Sequence, residues 1–193
     1  MKDIIKMLLF VIIMGTILST AIVGVDSWTS PLIAKNNEIK IKTSVLKALG
    51  LEYTKDTIEL VFSNKITTKD AVINDNQVKL YYSPDNTVAF QYQGAGLWGD
   101  IIGILAVNAQ EDSISRVSIF QQEETPGLGS RIGDDAYLNQ YIGKVFDPEI
   151  SSKASSEKSK VDVITGATLS SEAFIKILNE EYSKYKNLLK GVK

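Results

Sequence analysis

The sequence predicts an α+β fold, in which an N-terminal transmembrane helix precedes one domain with a largely antiparallel sheet packed against helices. Three observations predict it. An uncharged apolar run opens the chain, short β-rich segments separated by turn-forming residues fill its middle, and an amphipathic helical pattern closes it. Strands that are followed by a packed helix are typical of the α+β class.

The N-terminal segment predicts a membrane anchor. From Met7 to Val25 the chain carries no charged residue, and at 1.5 Å per residue this run can cross a hydrocarbon core of about 30 Å. A cleaved signal peptide is the alternative, because Ser19 and Ala21 are small residues at a spacing typical of cleavage sites. Since the apolar run continues beyond them, we expect a retained anchor.

The charges on either side of this run predict its orientation. Lys2 and Lys6 precede it and Asp26 follows it. By the positive-inside tendency, the N-terminus lies in the cytoplasm and residues 26–193 lie outside, so we expect a single-pass protein of the inner (plasma) membrane with an extracytoplasmic soluble part. The predicted division is an anchor over residues 1–26, a stalk or packing helix over 27–50 and a soluble domain over 51–193.

The composition excludes several classes of chemistry. The chain contains no histidine and no cysteine, so it cannot build a Ser-His-Asp or Cys-His nucleophile, a zinc finger, an iron–sulfur cluster on its own thiolates or a His-ligated haem. Its formal net charge is -2, which disfavours a nucleic-acid partner. We predict no metal site, and any redox chemistry requires an organic cofactor.

The soluble part divides into elements by its apolar pattern. Ser30 as N-cap, Pro31 at the first helical position and Gly50 as C-cap glycine predict a helix between them. A short helix is predicted over 132–143, a Ser/Lys-rich loop over 149–160 and a long amphipathic helix from Phe174 towards Gly191. Strands are predicted over 57–62, 77–83, 87–92, 100–108 and 113–122.

The segment "DVITGAT", from Asp162 to Thr168, allows two interpretations. It can be a plain strand-to-helix connection, with Ser170 or Ser171 capping the helix. It can also be an attachment site, because Gly166 leaves the backbone accessible and Thr168 precedes a helix N-terminus, where a phosphate is favoured. An unaided threonine hydroxyl is a poor nucleophile, so a second protein must act on it.

Together with two further motifs, this segment resembles a known family. The motifs are "EETPGLGSRIG", Glu123 to Gly133, and "GAGLWGDIIGILAV", Gly94 to Val107. The sequence is similar to FMN-binding domains in which FMN is joined to the second threonine through a phosphoester by a dedicated flavin transferase. It resembles the G subunit of Rnf electron-transport complexes and the C subunit of Na+-translocating NADH:quinone reductases, and the motifs leave both open.

The resemblance implies a role for individual residues. Covalent FMN is expected on Thr168, and Asp162 is expected to be recognised by the transferase. The isoalloxazine ring is expected against the turn Thr125–Gly129, where glycine lets the backbone approach closely. The remaining expected cofactor-binding residues are Thr165, Gly166, Ala167, Leu169, Ser170, Glu124, Thr125, Pro126, Gly127, Leu128, Gly129, Leu97 and Trp98. No residue is expected to be catalytic.

The resemblance also implies a function. We expect a membrane-anchored flavoprotein subunit that relays electrons among other membrane subunits of an ion-translocating oxidoreductase and is not catalytic alone. Two alternatives remain: an extracytoplasmic binding or sensory domain of the same fold without flavin, and a flavin carrier for a stand-alone reductase. Taken alone, Pro126–Gly127 is typical of an ordinary type II turn. The combination of motifs favours the flavin hypothesis.

Overall fold

The computed structural model describes residues 2–190, in which helices flank a single sheet. Two short 3-10 segments, Gly129–Gly133 and Asn139–Tyr141, lie between the sheet and the last helix. The named elements, in chain order, are α1 (Lys2–Ala48), α2 (Ile58–Lys65), β1 (Thr67–Ile73), β2 (Asn76–Tyr82), β3 (Thr87–Ala95), β4 (Asp100–Asn108), β5 (Ser113–Gln121), α3 (Asp135–Leu138) and α4 (Thr168–Lys190).

The sheet is an antiparallel meander in the order β1-β2-β3-β4-β5. Phe90 on β3 lies opposite Leu80 on β2 and Leu105 on β4, so these three side chains share one face. Because consecutive strands are antiparallel, the end of β3, the start of β4 and the end of β5 lie at the same end of the sheet. The predicted α+β class with a largely antiparallel sheet is confirmed.

Helix α4 covers one face of the sheet with its apolar side. Its residues Phe174 and Leu178 are completely buried, and Tyr185 stacks on Phe90 with ring centroids 3.9 Å apart. A Cβ atom on Gly94 of β3 would lie 2.6 Å from the side chain of Ile177, so the glycine permits the close approach of helix and strand. The predicted amphipathic helix is therefore confirmed.

The opposite face of the sheet is covered by the end of α1 and by α2. Ser118 on β5 donates a hydrogen bond from Oγ to the carbonyl oxygen of Ser44 on α1, at 3.0 Å. Phe62 on α2 meets Tyr81 edge-to-face with ring centroids 5.9 Å apart. Val45 on α1 is fully buried. Both faces of the sheet are thus covered over β3 and β4, whose residues are mostly buried.

The chain forms two compact units, residues 1–39 and residues 40–193. In the first unit the side chains are almost all exposed, and α1 contains a segment that is long and apolar enough to cross a membrane. Within it, the hydroxyls of Thr16 and Thr20 donate to the carbonyl oxygens four residues earlier, at 2.8 and 2.7 Å. These bonds satisfy both hydroxyls inside the helix, as a hydrocarbon environment requires.

The structure corrects the predicted start of the second helix. Pro31 lies inside α1, and the hydroxyl of Ser30 donates to Asp26 Oδ1 at 3.3 Å and does not cap a helix. The predicted C-cap is confirmed. Gly50 has φ +67°, its N–H bonds to the carbonyl of Lys47 at 3.1 Å, and the following N–H bonds to the carbonyl of Leu46 at 2.9 Å. This is a Schellman motif.

The strand predictions differ from the structure in two places. The strand predicted over residues 57–62 is wrong: these residues lie mostly in α2, where Ile58 is buried and Glu59 pairs with Lys42 of α1 at 2.6 Å. Packing against α1 overrides the strand preference of the β-branched residues.

Strand β1 is not among the predicted strands, because as an edge strand it is mostly exposed and polar. It pairs with β2 through the turn Asn74–Asp75, whose positive φ values are typical of a type I′ hairpin.

The aromatic cluster under α4 predicts where the core is most sensitive. Phe174 is fully buried and contacts the rings of Tyr92 and Tyr141, at centroid distances of 6.0 and 5.4 Å. We expect Phe174→Ala to lower the free energy of unfolding by about 3–5 kcal/mol, measured by denaturant titration of the full chain in detergent. The control Leu60→Ala, at a side chain 61% exposed, is expected to change it by less than about 0.5 kcal/mol. Equal losses would contradict this placement of the core.

Burial of tyrosines predicts a loss of stability in alkali. Burial, with the charge of Glu181 as a smaller contribution, raises the pKa of Tyr185 to about 12 from 10.0. The protonated phenol is therefore favoured in the folded state, so its contribution is complete below pH 10 and falls as the pH rises towards 12. We expect a shallower decline of the unfolding free energy above about pH 10 in Tyr185→Phe, which keeps the ring stack. Parallel declines in both proteins would refute this assignment.

Candidate functional site

A pocket of about 420 Å³ lies where three segments meet at one edge of the sheet. The segments are the turn between β3 and β4, the residues after β5 and the start of α4. All lining residues belong to the set predicted from the sequence: Leu97, Trp98, Thr125, Leu128, Gly129, Gly166, Ala167, Thr168, Leu169 and Ser170. The structure thus brings the three sequence motifs together, while Pro126, Gly127, Glu124, Thr165 and Asp162 lie outside the lining.

The segment before α4, residues 161–164, is not a strand. The side chain of Gln140 holds Asp162 by its backbone: the Asp162 N–H donates to Gln140 Oε1 at 2.6 Å, and Gln140 Nε2 donates to the Asp162 carbonyl at 3.2 Å. The backbone groups of Asp162 are thus paired with a side chain, while the Val161 N–H donates to the carbonyl of Ser151 at 3.2 Å. The Asp162 side chain remains exposed.

A tight turn joins this segment to α4. The Ala167 N–H donates to the carbonyl of Ile164 at 2.9 Å, and Gly166 has φ +84°, as the third position of a type II turn requires. Ser171 braces the turn, because its Oγ accepts from the Ile164 N–H and donates to the Ala167 carbonyl, both at 3.0 Å. Since α4 begins at Thr168, Ser171 lies in its first turn and is not the predicted N-cap.

The turn after β5 has the predicted type II geometry. Pro126 occupies its second position, Gly127 has φ +75° in the third, and the Leu128 N–H donates to the carbonyl of Thr125 at 3.1 Å. The Gly127 N–H donates to the hydroxyl oxygen of Ser130 at 3.0 Å. This turn places Thr125 and Leu128 on the pocket wall.

Glu124 is buried behind the pocket, with 3% of its surface exposed. Its Oε1 accepts hydrogen bonds from the backbone N–H groups of Leu97 at 2.7 Å and Trp98 at 3.3 Å. Its Oε2 accepts a hydrogen bond from the hydroxyl of Ser170 at 2.6 Å. The sequence prediction placed Glu124 beside the cofactor, whereas the structure places it between the β3–β4 turn and the first turn of α4.

Glycines provide the room for this carboxyl group. A Cβ atom on Gly129 would lie 2.6 Å from Ser170 Oγ and 2.8 Å from Glu124 Oε2, and one on Gly96 would collide with Glu124 Oε1. Neither glycine has positive φ, so the requirement here is space and not backbone conformation. The glycines at positions 96 and 129 therefore reflect the packing around Glu124.

The rim of the pocket is unusually apolar for an exposed surface. Leu97, Trp98, Leu128 and Leu169 are exposed by 47, 69, 50 and 66%. Large apolar side chains that converge on a concave surface are typical of a site for a flat apolar ligand. Thr168 is exposed on the same pocket at the start of α4, where the helix dipole favours a phosphate. The lining therefore fits a flavin ring and its phosphate.

Gln140 was not predicted at the site, and Ser171 was predicted only as a candidate N-cap. Gln140 and Ser171 fix the backbone on either side of the turn that precedes Thr168. The contact of Gln140 joins residues 22 positions apart and depends on the α3 region packing beside the motif, so no local sequence pattern indicates it. Within residues 2–190, no group of His, Cys, Asp and Glu is arranged to hold a metal ion.

Comparison with known proteins shows which family the pocket region resembles. Residues 96–183 match the model of the FMN-binding domain family, and this match includes every residue that lines the pocket. This part of the chain is therefore similar to FMN-binding domains, as its motifs predicted.

The similar curated proteins are C subunits of Na+-translocating NADH-quinone reductases. The chain is 33% identical over 87 residues to that of Neisseria meningitidis serogroup A, covering 41% of this chain and 34% of the relative. It is 30% identical over 120 residues to that of Chlamydia caviae, covering 50% and 38%, and 34% identical over 110 residues to that of Vibrio anguillarum, covering 51% and 43%. The chain thus spans about a third to two fifths of these relatives.

Two solved structures share the fold. Shewanella oneidensis NqrC superimposes with a TM-score of 0.66 at 17% identity, covering 79% of this chain and 97% of that chain. The corresponding protein of the Na+-translocating NADH-quinone reductase from Parabacteroides distasonis gives a TM-score of 0.68 at 21% identity, covering 81% and 95%. The predicted resemblance to this component of the quinone reductases is confirmed.

The space around Glu124 gives a prediction. We expect Gly129→Ala to lower the free energy of unfolding by about 1–3 kcal/mol, because the added methyl group would overlap Ser170 Oγ and Glu124 Oε2. Gly133→Ala is the matched control, since a Cβ atom there meets nothing within 4 Å and the backbone is not in the left-handed region. Denaturant unfolding of both variants checks this. A neutral Gly129→Ala would show that the packing around Glu124 is loose.

Proposed function

We propose that this protein is a membrane-anchored flavoprotein subunit that carries FMN on Thr168 through a phosphoester. It relays electrons within an ion-translocating oxidoreductase complex of the quinone-reductase or Rnf type. The observation that carries the proposal is the pocket itself, in which an exposed threonine hydroxyl at a helix start adjoins an exposed apolar rim.

The geometry favours Thr168 over the other hydroxyls of the motif. Ser170 and Ser171 are buried, and their hydroxyls already donate to Glu124 Oε2 and to the Ala167 carbonyl. Thr165 is exposed but does not line the pocket. Thr168 is the motif hydroxyl that is exposed and also lines the pocket. Attachment there would place the cofactor directly beside the rim.

The residues that would hold FMN divide into two groups. The start of α4, at Thr168 and Leu169, would hold the phosphate, because the first N–H groups of a helix lack intrahelical partners. The rim side chains of Leu97, Trp98 and Leu128 would cover the ring and exclude water. When bound, FMN supplies the electron transfer that no side chain of this protein provides. The protein's own contribution is binding and orientation.

The exposed Asp162 supports a role in maturation. Its backbone is held on both sides by Gln140, while its carboxylate faces solvent six residues before Thr168. An enzyme that attaches the flavin would find the carboxylate in a fixed place relative to the acceptor hydroxyl. We assign Asp162 to recognition by the flavin transferase.

The proposed location follows from α1. Its apolar segment would anchor the protein in the inner membrane, and residues 26–193 would lie on the extracytoplasmic side, because Lys2 and Lys6 precede the segment. Covalent attachment suits this location, since a tether keeps the cofactor at an effective concentration on the order of mM when free FMN is scarce. The partners are other membrane subunits of the complex.

Replacing Thr168 tests the attachment. We expect Thr168→Ala to lose all flavin that survives denaturation, because no hydroxyl remains to form the ester, while the thermal unfolding of the protein stays close to that of the wild type. The measurement is the intact mass of full-length protein co-expressed with a flavin transferase, together with fluorescence of the denatured band.

Two variants control that experiment. Thr168→Ser keeps a hydroxyl and is expected to retain the FMN mass increase, whereas Thr165→Ala is expected to retain attachment because Thr165 lies outside the pocket lining. An unmodified wild-type mass, with the transferase shown to act on another substrate, would overturn the proposal and favour a flavin-free binding domain. Purification of loaded protein with a lone soluble reductase, and without membrane subunits, would favour the stand-alone carrier.

A further inference from the structure

One buried carboxyl group connects all three walls of the pocket. Through Oε1, Glu124 binds the backbone of Leu97 and Trp98, and through Oε2 it binds Ser170 of α4. It directly precedes Thr125, which begins the third wall. A single side chain thus joins the β3–β4 turn to the first turn of α4 by hydrogen bonds.

In this position the Glu124 carboxyl group interacts with the protein and lies outside the pocket lining. It is 3% exposed, it does not line the pocket, and both carboxyl oxygens already accept hydrogen bonds from protein donors. A general acid or base must reach the reacting group within hydrogen-bond distance. The carboxyl group is therefore directed at the protein and not at the contents of the pocket.

The β3–β4 turn has few other attachments in this region. Within residues 96–99 its backbone bond is that of the Gly96 N–H to the Gly99 carbonyl, at 2.9 Å, which closes the turn on itself. Leu97 and Trp98 are 47 and 69% exposed, so packing holds their side chains only in part. The hydrogen bonds to Glu124 Oε1 are what tie this turn to the rest of the site.

We infer that Glu124 is a positioning residue, which fixes the Leu97–Trp98 wall relative to the start of α4 and hence relative to Thr168. A negative group is suited to this place, because the first turn of a 23-residue helix carries partial positive charge and Ser170 lies within that turn. Without its carboxyl group, two backbone N–H groups and one hydroxyl would lose their acceptor. Gly96 and Gly129 leave the space that the group needs.

The consequence for the cofactor rests on the proposed function. If FMN is attached at Thr168, the wall that covers its ring is held by Glu124, so loss of the carboxyl group should leave the ester in place and change the ring's surroundings. The positioning itself can be measured without any flavin. The positioning of the Leu97–Trp98 wall and its consequence for the flavin ring can therefore be tested separately.

The experiment uses full-length protein in detergent, without and with FMN attached by a transferase. Hydrogen–deuterium exchange of the 94–100 peptide region reports the protection of the Leu97 and Trp98 amides, and visible circular dichroism of the loaded protein reports the asymmetry around the ring. The variants are Glu124→Ala, which removes the acceptor, and Glu124→Gln, whose amide oxygen can still accept from the N–H groups while its Nε2 donates to Ser170 Oγ.

Tyr182→Phe controls for a purely structural effect. It removes the hydrogen bond from the Tyr182 hydroxyl to Asp112 Oδ1, which is 2.6 Å long and lies further along α4, and it leaves the pocket lining untouched. Because each variant loses hydrogen bonds of α4, a change that reflects global stability should appear in both. A change that reflects positioning of the wall should appear only at Glu124.

We expect the Leu97 and Trp98 amides to exchange about tenfold faster in Glu124→Ala, consistent with the loss of one hydrogen bond, and to be unchanged in Tyr182→Phe. Glu124→Gln is expected to restore most of the protection. In loaded protein, Glu124→Ala is expected to keep the FMN mass increase and to lose the visible dichroism.

Unchanged amide exchange in Glu124→Ala, or an equal increase in Tyr182→Phe, would overturn the positioning role. Altered exchange together with unaltered dichroism would overturn its consequence for the cofactor. If wild-type protein takes up no FMN, the proposed function fails, and the exchange measurement still decides whether Glu124 positions the wall.

Discussion

The hydrogen bonds of Glu124 are the interactions on which the candidate site depends. A buried carboxyl group is unfavourable in a protein interior unless its oxygens find donors, and here Leu97, Trp98 and Ser170 supply them. These donors come from two segments that are far apart in the sequence. The same group requires glycine at positions 96 and 129, because a side chain there would occupy its space. The hydrogen bonds of Glu124, which lies behind the pocket lining, therefore fix the positions of the pocket walls.

The sheet makes this arrangement possible. An antiparallel meander returns the end of β3, the start of β4 and the end of β5 to one edge, and α4 starts at the same place. The rest of α4 is held by its own core, in which Phe174 is fully buried and Tyr185 stacks on Phe90. The loops of the edge can then carry exposed apolar side chains, because the packed layers supply the stability.

The site has the character of a binding surface and not of an acid–base centre. Its lining contains no histidine, cysteine or charged side chain, and the carboxyl group of Glu124 behind it accepts hydrogen bonds from protein donors. Such a lining can hold and orient a redox cofactor, while the cofactor does the chemistry. The match of residues 96–183 to the FMN-binding domain and the likeness to C subunits of Na+-translocating NADH-quinone reductases agree with this character.

The sequence by itself determined the class of the fold, the long apolar segment of α1 and the type II turn at Pro126–Gly127. These features are local: they depend on hydropathy, periodicity and the backbone preferences of glycine and proline. The residues that line the pocket were expected from the resemblance of three motifs to FMN-binding domains. Tertiary structure decided the rest. Residues 57–62 became helical because they pack on α1, and Asp162, which lies in no strand, is held by the side chain of Gln140. The position of Glu124 also belongs to this second group, because its partners lie 26 to 46 residues away and no local pattern encodes such contacts.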